Sequence, residues 1–264
     1  MSNDVSSQVP EQSSPRTPMP LPHQADEPIF HVPKGVLMVL GAILAIHSLR
    51  ALLDDGTDIW LVLTMAVIPA RFAGFAQELP GGALASWTSL ITHVFAHGDV
   101  MHLLINSASL LAFASAIERR IGTVRFLVFF AVCGIAGALA FLLLNPGLMA
   151  PMIGASGAIS GMLGGVMRFF FTTIDEQGIR GLSDRHAHAP LERLNVAMQD
   201  RRLLWVIGTF ILMNIAAQFG LGDPSRTGGI AWEAHIGGFL AGFFLFGIFD
   251  VAARNSPREE QWRD

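Results

Sequence analysis

The chain has 264 residues, of which 52% are hydrophobic and only 14% are charged, and its mean hydropathy is +0.49. This composition argues against a soluble protein and predicts several helices that cross a membrane. The net charge of −4 without a basic patch argues against a nucleic-acid partner, and a single cysteine, Cys133, excludes a disulfide framework and a cysteine metal site.

The chain opens with a polar segment, residues 1–33, which holds seven of the 14 prolines. Its apolar surface is too small to offset the entropy of ordering, so a disordered cytoplasmic tail is predicted. No charged stretch followed by an apolar one occurs there, and we therefore expect no cleavable signal peptide. A second cytoplasmic tail is predicted at residues 253–264, with the membrane domain between the tails at residues 34–252.

Six apolar segments are long enough to cross a hydrocarbon core about 30 Å thick as helices. These spans are predicted at residues 34–53, 100–117, 124–144, 154–171, 203–220 and 234–251. A weaker apolar patch at residues 59–70 is interrupted by Pro69 and Arg71, which predicts an interfacial or re-entrant segment. The charged segment 172–202 is predicted to be a solvated loop with a short surface helix.

The lysine and arginine residues predict the orientation in the membrane. With six spans and the N-terminus inside, 14 of these 17 residues lie inside, and only Arg50, Arg71 and Arg226 lie outside. Positive charge accumulates on the cytoplasmic side, so both termini are predicted to be cytoplasmic. A seventh span at residues 59–76 would place the N-terminus on the outer side of the membrane and leave the orientation of all later segments unchanged.

Four polar residues lie in the first turns of spans two, four and six, which all run in the same direction. They are His102, Asn106, Ser156 and His235. His102 and Asn106 share one helix face because they are four residues apart. Polar groups at this depth are often functional, although each one alone is also compatible with packing.

These residue types suit nucleophilic catalysis. A serine hydroxyl needs a base, which a histidine can supply, so Ser156 and His235 are the candidate pair. The oxyanion formed on attack of an amide needs donors, for which His102, Asn106 and the Ser156 N–H are candidates. Glu233 points to another side of its helix from His235, so a Ser–His dyad is predicted rather than a triad.

Glycines recur at every fourth position in spans four and six, at Gly157, Gly161 and Gly165, and at Gly238 and Gly242. Small residues at this spacing let two membrane helices approach closely, which would bring His235 towards Ser156. The same pattern also permits the simpler interpretation that Ser156 is one more small packing residue.

Together, these motifs resemble the rhomboid family of intramembrane serine proteases, over nearly all of residues 34–252. The matching segments are Gly154-Ala155-Ser156-Gly157, His102-Leu103-Leu104-Ile105-Asn106, Ala234-His235 with Gly237–Gly242, His93 with His97-Gly98, and Glu118-Arg119-Arg120-Ile121-Gly122. Each motif alone is weakly specific, but their order and their positions on the predicted spans are highly specific.

The resemblance implies an all-α membrane protein, a six-helix bundle with an interfacial first loop and a water-filled cavity open to the outside. Ser156 would be the nucleophile and His235 the general base and acid. His102, Asn106 and the Ser156 N–H would form the oxyanion site. Gly154, Gly157, Gly238 and Gly242 would be the supporting glycines of the motifs.

The resemblance also implies the substrate and the location. Transmembrane segments of other proteins would enter between spans two and five and be cleaved near the outer face, with no metal or cofactor. A bacterial inner membrane is the expected location. One departure concerns Ser160, because many members have an aromatic residue there that packs against the base, and this chain has no tyrosine.

Three other interpretations remain open at the level of sequence. His93 and His97, at helical spacing, could bind a metal together with Asp99, although Asp99 is better placed to cap span two. A transporter would show inverted repeats and polar groups at mid-membrane, and neither is evident. A catalytically inactive relative that binds membrane clients would need a defect that the sequence does not show.

Overall fold

The computed structural model describes residues 32–182, 189–218 and 231–250. Regular secondary structure within these ranges is helical, and the β contact among them is an isolated bridge between Val67 and Met152. The predicted tail at residues 253–264, and all but Val32 and Pro33 of the predicted tail at residues 1–33, lie outside the described residues.

The helices of the described residues are α1 (Lys34–Arg50), α2 (Asp55–Met65), α3 (Gly82–Thr92), α4 (Val100–Ile121), α5 (Thr123–Leu144), α6 (Ser156–Met167), α7 (Phe170–Gln177), α8 (Leu194–Ala197), α9 (Arg201–Gln218) and α10 (Trp232–Phe249). A single π-helical turn occurs within α4 at Leu110–Ala114. The chain also turns at Arg71–Phe75, where Gly74 has a φ of +108° and is not helical. Short 3₁₀ turns occur at His93–Phe95 and Ile179–Leu182.

Several of these helices have the length and composition of membrane spans. Within the described residues, α4, α5 and α10 are long and apolar enough to cross a membrane. A fourth crossing results if α6 and α7, which meet at an angle of 44°, are counted as one broken span. The chain is therefore a multi-pass membrane protein.

Two predicted spans differ from the helices at their C-terminal ends. The first, residues 34–53, is helical only to Arg50, because Asp54 caps a new helix by accepting a hydrogen bond from the Thr57 N–H at 3.1 Å. The second, residues 100–117, continues to Ile121 and ends where Gly122 adopts a φ of +79°.

The fourth predicted span, residues 154–171, is not one straight helix. It breaks after Met167, and Phe169, with a φ of −134°, leaves the helical conformation. The buried guanidinium of Arg168 fixes this break by donating to the carbonyl oxygens of Phe243 at 3.0 Å and Glu192 at 2.7 Å. The charge of Arg168 thus ends the helix within a run that hydropathy alone treats as continuous.

The connecting segments also contain regular structure. Most of the predicted interfacial patch, residues 59–70, belongs to α2, which is followed by an extended turn at Ala66–Ile68. The predicted loop 172–202 contains the rest of α7 and the single turn of α8. Its residues 183–188, with His186 and His188, lie outside the described residues.

The centre of the protein is the packing of α10 against α5 and α6. A β carbon on Gly238 would overlap the carbonyl oxygen of Gly157, and one on Gly242 would overlap that of Gly161. The two backbones therefore touch, as small residues at this spacing permit. Buried phenylalanines continue the contact below the glycines, and they include Phe129, Phe239, Phe243 and Phe246.

The first helix is held to this centre by Glu118, at the end of α4. Its buried carboxylate accepts hydrogen bonds from the backbone N–H groups of Gly35 at 2.8 Å and Val36 at 2.7 Å. The Thr123 hydroxyl donates to the same carboxylate at 2.7 Å. Pro33 cannot act as a side-chain cap, so Glu118 takes the place of the missing local cap of α1.

A buried ion pair joins α4 to the end of α10. Arg120 lies 2.7 Å from the carboxylate of Asp250, which is fully buried, and also donates to the carbonyl oxygen of Ala189 at 2.9 Å. The guanidinium lies 4.5 Å from the centre of the Phe169 ring. This pair fixes the last turn of α10 at the end opposite to Ser156.

Candidate active site

The structure brings Ser156 and His235 into direct contact. Ser156 begins α6, and His235 lies in the first turn of α10, so the glycine contact between these helices sets their separation. The Nε2 atom of His235 lies 2.7 Å from the Oγ atom of Ser156. Both residues are half-buried, so neither side chain is fully enclosed by the protein.

The segment before Ser156 is pinned by the first connection of the chain. Val67 and Met152 exchange two backbone hydrogen bonds, of 3.0 and 2.9 Å, and the Ala70 N–H donates to the Leu148 carbonyl at 3.0 Å. These bonds hold the strand-like approach to α6. They give the connection between α1 and α4 a structural role in the site.

Two histidines hold the last residues before the serine. The Gly154 N–H donates to the backbone carbonyl of His93 at 2.9 Å, and the Ala155 N–H lies 3.5 Å from Nε2 of His97. Burial lowers the pKa of both imidazoles to about 4, so they are neutral at physiological pH. They position the turn that presents Ser156.

His102 lies against the same turn. Asp99 caps α4, as predicted, by accepting the His102 N–H at 2.8 Å. A β carbon on Gly154, which has a φ of +115°, would lie only 2.7 Å from Nε2 of His102 and 3.9 Å from Oγ of Ser156. Since the Gly98 N–H lies 3.5 Å from Nδ1 of His102, the hydrogen of this ring is favoured on Nε2, facing the site.

Asn106 lies one turn further along α4 and is buried. Its amide nitrogen donates one hydrogen to the carbonyl oxygen of His102 at 2.9 Å, which leaves its second hydrogen for another acceptor. Its Oδ1 atom has no hydrogen-bond partner among the described residues.

Sequence reasoning missed one residue of the site. Oδ1 of Asn214, on α9, lies 2.6 Å from Nδ1 of His235. The predicted dyad thus has a third polar neighbour, and it is an amide from another helix rather than a carboxylate from α10. The available signal was a lone asparagine within an apolar run, which needs a hydrogen-bond partner in a membrane.

Other candidates occupy supporting positions. Glu233 accepts a hydrogen bond from the Asn145 side chain at 3.0 Å and is buried away from the imidazole of His235. Ser160 is buried in α6. Within the described residues, no three His, Cys, Asp or Glu side chains converge in a way that would hold a metal ion, so His93, His97 and Asp99 form no such cluster.

Comparison with known proteins gives a consistent family. The family model described as "Rhomboid domain" matches residues 84–250, more than half of the chain, and includes Ser156, His235 and Asn214. The chain is 31% identical over 163 residues to the Rhomboid protease GluP of Bacillus subtilis. The matched segment covers 61% of this chain and 26% of that protein.

Two further relatives also carry rhomboid names. The Putative rhomboid protease YdcA of Bacillus subtilis is 43% identical over 84 residues, 32% of this chain and 42% of that protein. The RHOMBOID-like protein 4 of Arabidopsis thaliana is 30% identical over 150 residues, 56% of this chain and 30% of that protein. The chain thus covers less than half of the length of each of these relatives.

Proposed function

Because the chain belongs to the rhomboid family, we propose that it is an intramembrane serine endopeptidase that cleaves transmembrane segments of other membrane proteins. The observation that carries this proposal is the 2.7 Å contact between Oγ of Ser156 and Nε2 of His235. This is the separation that a nucleophile and its general base require.

The proposed mechanism has two stages. In the first, Ser156 attacks the carbonyl carbon of the scissile amide while His235 takes the hydroxyl proton and then gives it to the leaving amine. In the second, a water molecule loses a proton to His235 and attacks the acyl-enzyme, the bond between the acyl carbon and Oγ of Ser156 breaks, and the proton on His235 returns to Oγ as the carboxyl product leaves. The proposed mechanism uses no cofactor, because Ser156 and water are the two nucleophiles and His235 carries the proton in both stages.

The proposed oxyanion site lies beside the serine. Nε2–H of His102, the second amide hydrogen of Asn106 and the backbone N–H of Ser156 are the donors. Gly154 supports this assignment, because a side chain at residue 154 would fill the space between Nε2 of His102 and Oγ of Ser156. Donors fixed before the reaction stabilise the developing charge without reorganising.

The proposed topology has six spans, formed by α1, α4, α5, the bent pair α6 and α7, α9 and α10. Both termini would lie in the cytoplasm of a bacterium, with Ser156 and His235 towards the outer side of the inner membrane. The distribution of charge supports this orientation, because Arg120, Arg125 and Arg168 lie at the end of the bundle opposite to Ser156.

The proposal is tested by the reaction of the purified protein with a fluorescent fluorophosphonate, which labels activated serines. Wild type, Ser156→Ala and His235→Ala are compared in detergent, with thermal unfolding as the control for folding. Labelling of wild type alone is expected. A well-folded wild type without labelling would overturn the proposal in favour of an inactive rhomboid-like protein that binds membrane clients, and labelling of Ser156→Ala would identify another nucleophile.

A further inference from the structure

We infer that Asn214 is a positioning residue, which holds the His235 ring in the tautomer and orientation that a base towards Ser156 requires. The inference rests on the proposed function and extends it from a pair of residues to an array of three. Asn214 would not touch the substrate. It would act through the ring of His235.

The two nitrogen atoms of His235 face two different partners. Nε2 lies 2.7 Å from Oγ of Ser156, and Nδ1 lies 2.6 Å from Oδ1 of Asn214. The ring is therefore held between α6 and α9. Asn214 is only 9% exposed, so water does not replace it readily.

The orientation of the Asn214 amide follows from its other contact. Its Nδ2 atom lies 2.8 Å from the backbone carbonyl oxygen of Phe210. A carbonyl oxygen only accepts, so the amide nitrogen must be on that side and Oδ1 on the side of His235. The Phe210 carbonyl thus prevents the amide from rotating to present its NH₂ group to the ring.

This orientation determines which ring nitrogen carries the proton. Oδ1 only accepts hydrogen bonds, so Nδ1 of His235 must carry the hydrogen. In a neutral imidazole the lone pair is then on Nε2, where it faces the Ser156 hydroxyl. The array therefore selects the base-competent tautomer without any charged group.

Packing between α9 and α10 supports the array. Phe210 and Asn214 lie one turn apart on α9, and His235 and Phe239 lie one turn apart on α10. The rings of Phe210 and Phe239 stack with centroids 4.8 Å apart and an angle of 25° between their planes. The aromatic pair and the polar pair are thus neighbouring contacts between α9 and α10. The stacking of Phe210 on Phe239 holds these helices at the separation at which Asn214 reaches His235.

An amide suits this position better than a carboxylate. A carboxylate would bring a full negative charge into a membrane-embedded site, where ionised groups are strongly disfavoured. An amide supplies the same acceptor atom and stays neutral throughout the reaction. The same function is performed by an asparagine in the Cys–His–Asn proteases, which is an analogy of chemistry and not of fold.

An interhelical hydrogen bond could instead serve only to hold α9 against α10. The two roles differ in what they predict. A bond that only holds the helices changes thermal stability when it is removed, and it leaves the pH dependence of the reaction and the tautomer of His235 unchanged. A positioning bond changes both of these properties.

The first experiment compares wild type with Asn214→Leu, which keeps the branched shape of the side chain and removes the acceptor, and with Asn214→Asp, which keeps an acceptor. Thr209→Val on the same helix is the matched control, because it removes an exposed hydroxyl. The measured quantity is the second-order rate constant for fluorophosphonate labelling of Ser156 as a function of pH, with unfolding midpoints measured alongside.

Asn214→Leu is expected to label about 10- to 100-fold more slowly, which is at or below the lower end of general-base effects because the base itself is still present. Asn214→Asp is expected to recover only part of the rate, because ionising the new carboxyl at this depth is disfavoured. Where it is ionised, it stabilises the imidazolium and moves the acidic limb of the pH profile to higher pH. Thr209→Val is expected to label at the wild-type rate. A wild-type rate and profile in Asn214→Leu would overturn the inference and leave the proposed function intact.

A second experiment does not depend on activity. Nitrogen NMR of protein with ¹⁵N-labelled histidine reports which ring nitrogen carries the proton, and His235→Gln identifies the signals. Wild type is expected to show hydrogen on Nδ1 of His235, and Asn214→Leu a mixture of tautomers. The same single tautomer in both proteins would overturn the inference. This test stays informative even if wild type fails to react with the fluorophosphonate and the proposed function is thereby overturned.

Discussion

The carbonyl oxygen of Gly161 occupies the place that a β carbon on Gly242 would take. Any side chain at residue 242 must therefore push α10 away from α6. Because His235 and Ser156 are carried by these same two helices, this contact determines both the stability of the bundle and the geometry of the site.

Gly242→Ala is expected to lower the free energy of unfolding by about 1–3 kcal/mol, the usual range for overpacking. It should also slow the labelling of Ser156. Gly41→Ala is the control, since nothing lies within 4 Å of a β carbon at that helical position. The measurement is the thermal unfolding midpoint in detergent, and equal midpoints for the two variants would contradict the close contact.

Gly154→Ala is expected to reduce the rate of labelling more than it reduces stability. Its β carbon would lie 2.7 Å from Nε2 of His102 and displace this ring. If His102 is an oxyanion donor, as proposed, its loss should reduce the rate by about 10²–10³-fold. Gly147→Ala is a matched control, because Gly147 also has a positive φ, of +75°, and open space around it. If Gly154→Ala labels as fast as Gly147→Ala, the contact between residue 154 and His102 does not affect the reaction and the prediction is wrong.

Glu118→Ala is expected to destabilise the protein by about 2–3 kcal/mol, because the N–H groups of Gly35 and Val36 lose a charged acceptor inside the protein. The variant should release the start of α1 first. Hydrogen exchange of the α1 amides measures this effect directly. Glu176→Ala, at an exposed position, provides the comparison, and equal exchange in the two variants would refute the capping role of Glu118.

Asp250→Leu is expected to cost about 3–5 kcal/mol, since it leaves the guanidinium of Arg120 buried without its counter-charge. The double variant Arg120→Met with Asp250→Leu should be more stable than Asp250→Leu alone, because no uncompensated charge then remains. Urea or thermal unfolding of the two single variants and the double variant gives the coupling energy. Strict additivity of the two changes would show that the ion pair contributes no coupling.

The sequence predicts the helices well where an uninterrupted apolar run coincides with a local end signal. The third predicted span, residues 124–144, corresponds to α5, which is Thr123–Leu144. The glycine spacing likewise predicts which helix faces can meet, because the absence of a side chain is a local property. These features follow from the period of the pattern alone.

The remaining features depend on contacts between distant parts of the chain. The break after Met167 follows from Arg168 reaching the carbonyl of Phe243, and hydropathy carries no information about that acceptor. The role of Glu118 depends on backbone groups 83 and 82 residues earlier. Asn214 faces His235 only because α9 and α10 lie side by side. One sequence does not specify such pairings.

The position of His235 on α10 has a consequence for biosynthesis. The histidine follows Ser156 by 79 residues, so at a synthesis rate of about 5–20 residues per second Ser156, the proposed nucleophile, exists for roughly 4–16 s before its proposed base is made. Until α10 has inserted and its glycines have met those of α6, the nascent chain carries a serine without a base. Under the proposed function, the unfinished protein cannot cut the membrane proteins that are inserted beside it, and the last helix activates the enzyme as it docks.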